Sequence, residues 1–171
     1  VPEERLIDLQ LTKEMQERFC EANDLYTMCL DSRKRTIGEL YGTEEEKAFI
    51  KGRVPEELYR ELLERLYATE VEDMIEEPLA EENIKLCGAV IRMGGKPIAV
   101  WIVFAVLSDI GEIPEDMPKT MGTTSADHFY KSMRFLTTLS RQYFAAKIDE
   151  AFAQEASVKS IEEKERAEAE L

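Results

Sequence analysis

The sequence predicts an α+β domain built on one five-stranded antiparallel sheet, with helices inserted into it and on either side of it. The clearest indication is a pair of apolar segments, 84–92 and 98–107, joined by Met93-Gly94-Gly95-Lys96. Adjacent glycines between strand-like segments are typical of a tight hairpin, because its turn requires positive φ. Segment 98–107 is apolar at both odd and even positions, so we expect it to be the central strand, covered on both faces.

Composition limits the classes of partner. The chain has 171 residues, 44% of them apolar, which is enough for one domain with its own core. Its 22 basic and 36 acidic side chains leave a net charge of -14, which argues against binding nucleic acid or anionic lipid through a basic surface. The longest apolar segment, 97–107, is about half of the roughly 20 residues that a membrane helix needs. We therefore expect neither a nucleic-acid partner nor a membrane span.

The cysteines indicate the cellular compartment of the chain, and its two ends indicate that it is part of a longer protein. Cys20, Cys29 and Cys87 are an odd and dispersed set, which is typical of a reducing cytoplasm. No signal-peptide pattern opens the chain. It begins with Val rather than Met and ends within a charged helical pattern. We interpret it as a cytoplasmic fragment of a longer protein, whose function depends partly on the rest.

The first forty residues predict a helix followed by a hairpin. Apolar residues recur at helical spacing over 2–22, and Asn23-Asp24 ends that pattern. Two strand-like segments follow at 25–30 and 36–40, separated by a polar turn.

Two helices are expected next. Thr43-Glu44-Glu45-Glu46 is a capping box, in which the hydroxyl caps the helix and the carboxylate three residues later reaches back. This short helix should end at Gly52, and Pro55 then occupies a first-turn position of the second helix. Four leucines form the apolar stripe of that second helix: Leu58, Leu62, Leu63 and Leu66.

Segment 70–79 fits either a helix or a short edge strand, because Val71 and Ile75 suit both and Pro78 ends the pattern. We expect the strand, over 70–76.

The last third of the chain predicts a long loop and a long helix. Residues 108–126 have loop chemistry, and a connection of this length is usually functional or mobile. From 127 to the end the pattern is helical, and it becomes polar after Phe152. A polar helix cannot be held by packing on its own, so this extension needs a partner helix or a following domain.

Residues that carry enzymatic chemistry are sparse. The chain holds a single histidine, His128, and no nucleophile-elbow, phosphate-loop, dinucleotide-binding or zinc motif. We expect no catalytic residue, no metal site and no enzyme activity in this fragment, and we interpret His128 as a surface or pocket-rim residue. The acidic cluster over 70–82 lacks the spacing of a calcium loop. A solvated sheet edge that discourages aggregation is the better interpretation.

The order of elements resembles a sensor domain of the PAS/GAF type, a five-stranded antiparallel sheet with helices inserted after the second strand. The resemblance covers 25–107 and both flanking helices. The segment 95–103, ending in Val106-Leu107-Ser108-Asp109, also resembles the sensory input regions of bacterial histidine kinases and cyclases such as diguanylate cyclases, including the PocR-like group. The cysteines expected of PocR-type domains are not at matching positions, and no haem or flavin motif is visible, so no cofactor is implied.

The resemblance implies a signal-transduction input module, as in two-component systems. We expect a flanking helix (1–24), a sensor core (25–126) and a C-terminal helix (127–171) that leads to an output domain. The ligand cavity is expected between one face of 98–107 and the helices of 44–67. The predicted ligand-binding residues are Met28, Cys29, Trp101, Val103 and Phe104. A small-molecule ligand that favours one arrangement of the helices would bias the terminal helix.

Two further expectations concern the core and the assembly. Apolar strand residues like the predicted ligand-binding residues more often belong to the hydrophobic core than to a ligand site. The alternative is therefore a ligand-free dimerisation or scaffold module. The helices over 6–22 and from 127 onward carry more apolar surface than one sheet face needs, and such patches usually mark an interface. We expect a parallel homodimer through the terminal helices, weakly held because Val158 and Ile161 fit coiled-coil core positions whereas Gln154 and Glu165 do not.

Overall fold

The computed structural model describes residues 9–70 and 72–170, in which five strands form a single antiparallel sheet. Its strands are β1 (Tyr26–Asp31), β2 (Thr36–Gly38), β3 (Met74–Glu77), β4 (Ile84–Met93) and β5 (Lys96–Val106). The helices are α1 (Leu9–Asn23), α2 (Glu44–Arg53), α3 (Glu56–Ala68) and α4 (Ala126–Ala169). The strand order is β2-β1-β5-β4-β3. The predicted α+β class and the central position of segment 98–107 are therefore confirmed.

The β4–β5 hairpin forms as the sequence predicts. Gly94 and Gly95 have φ of 59° and 80°, the left-handed values that a tight turn between twisted strands requires. β5 also pairs with β1 on its other side, with Met28 opposite Ile102 and Cys29 opposite Trp101. This register decides which side chains share a face.

The capping box of α2 is confirmed. The Thr43 hydroxyl accepts from the Glu46 amide at 3.2 Å, and the Glu46 carboxylate accepts from the Thr43 amide at 2.8 Å. The helix runs to Arg53, one residue past the expected end at Gly52, and Pro55 is the N-cap of α3.

Two strands are shorter than the sequence predicts. β2 ends at Gly38 rather than at residue 40. β3 begins at Met74 rather than at residue 70, because the chain leaving α3 is held in a turn by Arg92, which donates to the carbonyls of Thr69 and Glu72. Val71 lies outside the described residues, as does 1–8, the first part of the helix predicted over 2–22.

The sheet has two unlike faces. The covered face packs against α1 and α4, where Trp101, Phe129, Met133 and Leu136 are almost fully buried. The Trp101 indole also donates to the buried Ser140 hydroxyl at 3.0 Å, which fixes α4 on the sheet. The other face, the cleft face, packs against α2 and α3.

The segment between β5 and α4 is an irregular loop, as expected. A bridge between Leu107 and Thr124 ties its two ends together, and Ser125 caps α4 by accepting from the His128 amide. Every residue from 152 to 170 is exposed. None of the described helices combines the length and the apolar character needed to cross a membrane.

Candidate ligand-binding cleft

An apolar cleft of about 710 Å³ lies between the cleft face of the sheet and the helices α2 and α3. β1, β4 and β5 supply its floor, and the end of α2 and the start of α3 supply its walls. Its principal apolar lining residues are Met28, Ile50, Val54, Leu86, Ile102 and Phe104. A depression of about 720 Å³ between α1 and α2 has fewer apolar lining residues, namely Ile37, Leu40 and Tyr41.

The cleft exists because α3 is buried against the sheet in its second half and packs less closely in its first half. In its second half Leu62 and Leu66 are fully buried, and Leu66 lies directly over Gly88 of β4. A Cβ at position 88 would clash with a Leu66 methyl group, so glycine permits this approach without displacing the leucine. In its first half Tyr59 is half-buried and Glu56 is exposed, and the space below them is the cleft.

The polar groups of the cleft are few. The Tyr59 hydroxyl donates to the Met28 sulfur at 3.5 Å, and burial raises the pKa of this phenol. Five charged residues line the opening: Glu39, Glu44, Lys47, Lys51 and Glu56. Lys47 lies 3.5 Å from Glu44, which is a loose ion pair.

The structure separates the predicted ligand-binding residues into two groups. Met28 and Phe104 line the cleft, whereas Cys29, Trp101 and Val103 point into the core of the covered face. The prediction that these residues all face one cavity is therefore wrong. Successive side chains of a strand point to opposite faces, so neighbours such as Met28 and Cys29 cannot share a cavity.

The sequence analysis did not predict most of the residues that line the cleft. Ile102 and Leu86 are in it because they lie on the same face as Phe104, and the two-residue period of β5 was the signal for Ile102. Tyr59 and Ile50 belong to the helices that were expected to close the cavity, but nothing in the chain indicated which of their residues would point inward.

The cysteines are buried and lack features of a reactive site. Burial raises the pKa of Cys20 to about 11 and that of Cys87 to about 12, and burial also raises the pKa of Cys29. Thiols of this kind stay protonated at neutral pH and are poor nucleophiles. Among residues 9–70 and 72–170 no three His, Cys, Asp or Glu side chains form a group that could hold a metal ion. The exposed His128 ring lies 3.0 Å from the Asn23 side-chain oxygen.

The acidic cluster is mostly paired with basic side chains. Asp73 accepts from Arg92 of β4 at 2.8 Å and from Arg141 of α4 at 2.7 Å. Glu77 pairs with Arg65 of α3 at 2.8 Å. These contacts join β3 to its neighbours.

Comparison with known proteins identifies no family. No family model matches the chain, and no curated protein matches it. Among solved structures it is similar to one described as "Structure of an RNA-binding Light-Oxygen-Voltage Receptor", with 14% sequence identity and a TM-score of 0.35. The match covers 67% of this chain and 35% of that one, so the chain corresponds to about a third of that structure. The strand arrangement, with two helices inserted after the second strand, is PAS-like in the coarse sense expected from the sequence.

Proposed function

We propose that this chain is a cytoplasmic ligand-sensing domain that binds a small molecule in the cleft and passes the change to an output domain through α4. The observation that carries the proposal is the contrast between the faces. One face is filled by α1 and α4, and the other keeps a space of about 710 Å³. That volume lies within the roughly 300–1,000 Å³ of typical small-molecule sites.

A chain of contacts around the β3 edge supports coupling between the cleft and α4. The turn that follows α3 is held by Arg92, whose guanidinium also binds Asp73. Asp73 in turn binds Arg141 of α4, and Tyr130 of α4 donates to Glu76 of β3 at 2.7 Å. A ligand that shifts α3 would change this turn, and with it the contacts that hold α4.

The test of ligand binding is a thermal-shift screen of a small-molecule library against three proteins. Some compounds of the library should raise the melting temperature of the wild-type protein. Met28→Phe, which places a rigid ring on the floor of the cleft and removes the partner of Tyr59, should reduce their effect, and Met93→Phe, at the β4–β5 hairpin outside the lining, should keep it. A screen without any such compound, or compounds that stabilise Met28→Phe equally, would favour the ligand-free scaffold instead.

We also propose that the exposed half of α4 pairs with a second copy in parallel. Residues 152–169 span about 27 Å of helix at 1.5 Å per residue, and Phe152, Val158 and Ile161 are each more than half exposed on it. A polar helix of this length is marginal without a packing partner.

Sedimentation at micromolar concentration tests the pairing. We expect a weak dimer for the wild type. The double substitution Val158→Glu and Ile161→Glu should dissociate this dimer, whereas Lys159→Glu, at an exposed lysine, should weaken it much less. A monomer for wild type would refute the pairing.

A further inference from the structure

We propose that the cleft takes an uncharged, largely apolar molecule that presents one hydrogen-bond acceptor, a carbonyl or ether oxygen, to the Tyr59 hydroxyl. This inference rests on the proposed function and names the ligand class of the same cleft. It follows from the lining, from the charges at the opening and from the partner of Tyr59.

The lining requires an apolar body. The floor consists of Met28, Leu86, Ile102 and Phe104, and the walls include Ile50 and Val54. An ionised group placed among these side chains would lose its hydration without a compensating partner, which is costly. The polar part of the ligand must therefore be small and uncharged.

The charges at the opening disfavour anions. Three carboxylates lie there against two ammonium groups, and one of those, Lys47, is already near Glu44. The whole chain carries a net charge of -14, which repels anionic ligands at longer range.

A cationic ligand finds no counter-charge deeper in the cleft. Its acidic residues are the three at the opening, Glu39, Glu44 and Glu56, and all are exposed. The buried carboxylate nearby, Glu46, is outside the lining and accepts from the Thr43 amide and from the Tyr26 and Thr120 hydroxyls. The opening disfavours anions and the apolar interior disfavours any ion, so the two together favour a neutral molecule.

Tyr59 supplies the specific contact. Its hydroxyl donates to a thioether, which is one of the weakest acceptors among side chains. Met28 is flexible enough to move away from it. A carbonyl oxygen would be a better acceptor. The phenol is a donor at neutral pH, as any tyrosine is, and burial raises its pKa further.

Three probes that share one ring system test this inference: acetonaphthone, ethylnaphthalene and naphthoate, of the same ring isomer. The first has a carbonyl acceptor, the second lacks it at nearly the same shape, and the third is an anion. In calorimetric titrations of the full chain we expect acetonaphthone to bind about fivefold to tenfold more tightly than ethylnaphthalene, as one neutral hydrogen bond allows. Naphthoate should bind most weakly.

The variants assign the effect to one hydroxyl. Tyr59→Phe should reduce the preference for acetonaphthone to about onefold while leaving the affinity for ethylnaphthalene unchanged. Tyr143→Phe removes a hydroxyl on the covered side of the sheet, outside the lining of the cleft, and should preserve the preference. Melting curves verify that both variants are folded.

The outcomes separate the ligand class from the proposed function. Equal affinity for acetonaphthone and ethylnaphthalene, or tighter binding of naphthoate, would overturn the ligand class while still showing an apolar binding site. Absence of binding by all three probes would also overturn it, and the library screen would then decide the proposed function separately.

Discussion

The two faces of the sheet are made from the same strands yet differ in how completely they are filled. On the covered face, the first half of α4 packs on the sheet through buried residues from Phe129 to Phe144, and the Trp101 indole donates to Ser140. On the cleft face, α3 is buried against the sheet where Gly88 admits Leu66, whereas its first half is only half-buried and meets the sheet through Tyr59 and Met28. A helix that is anchored at one end leaves a space at the other. The difference shows how one apolar strand, β5, serves both as core and as the floor of a binding site.

The largest expected effect comes from emptying the covered face. Trp101→Ala should lower the free energy of unfolding by about 3–5 kcal/mol, because the indole is fully buried and Ser140 would lose its donor. Phe135→Ala, on the exposed side of α4, should change it by less than about 0.5 kcal/mol. Urea denaturation measures both. A loss below about 1 kcal/mol for Trp101→Ala would show that the covered face is not tightly filled.

Neighbouring residues of β1 allow a direct comparison of the faces. Cys29→Phe places a ring in the filled core and should cost about 3 kcal/mol of unfolding free energy, whereas Met28→Phe points into the cleft and should cost less than about 1.5 kcal/mol. The same denaturation experiment applies. Equal losses for the two variants would mean that the cleft is closed in solution.

The anchor of α3 can be tested with two glycines. Gly88→Ala should destabilise the chain by about 1–2 kcal/mol, since the new methyl group meets the buried Leu66 side chain. At Gly52 of α2 a Cβ has open space, so Gly52→Ala should stabilise by about 0.5 kcal/mol. If thermal melts show that Gly88→Ala is harmless, α3 does not depend on this contact.

The smallest expected effect concerns the link between the faces. Arg141→Met breaks an exposed ion pair with Asp73 and should cost no more than about 1 kcal/mol. It should nevertheless increase hydrogen exchange at the amides of Thr69, Glu72 and Asp73, because Asp73 loses its contact with α4. Lys131→Met breaks an ion pair within α4 and serves as the control. Unchanged exchange in Arg141→Met would argue against coupling through this edge.

Local signals in the sequence predicted much of the fold. The glycine pair indicated the β4–β5 hairpin, the apolar run indicated a central strand, and Thr43 with Glu46 indicated the start of α2. Each of these depends on residues that are close in the chain, so a single sequence carries the information.

The cleft depends on contacts between distant residues, and these were not predictable. The register that places Met28 opposite Ile102 joins residues more than seventy positions apart. The approach of Leu66 to Gly88 likewise depends on a pairing between elements. Alternation along each strand is by contrast a local signal, and it alone separates Cys29, Trp101 and Val103 from Met28 and Phe104. Which of the two faces stays open depends on the distant contacts.

The most direct test of the account is a methyl NMR titration with the methionines isotopically labelled. Met28 lies in the cleft, and Met133 lies in the core of the covered face, so each reports on one side of the sheet. On addition of acetonaphthone the account predicts a saturable shift of the Met28 signal and none at Met133. A shift at Met133 with Met28 unmoved, or no shift at either methyl at saturating probe, would contradict it.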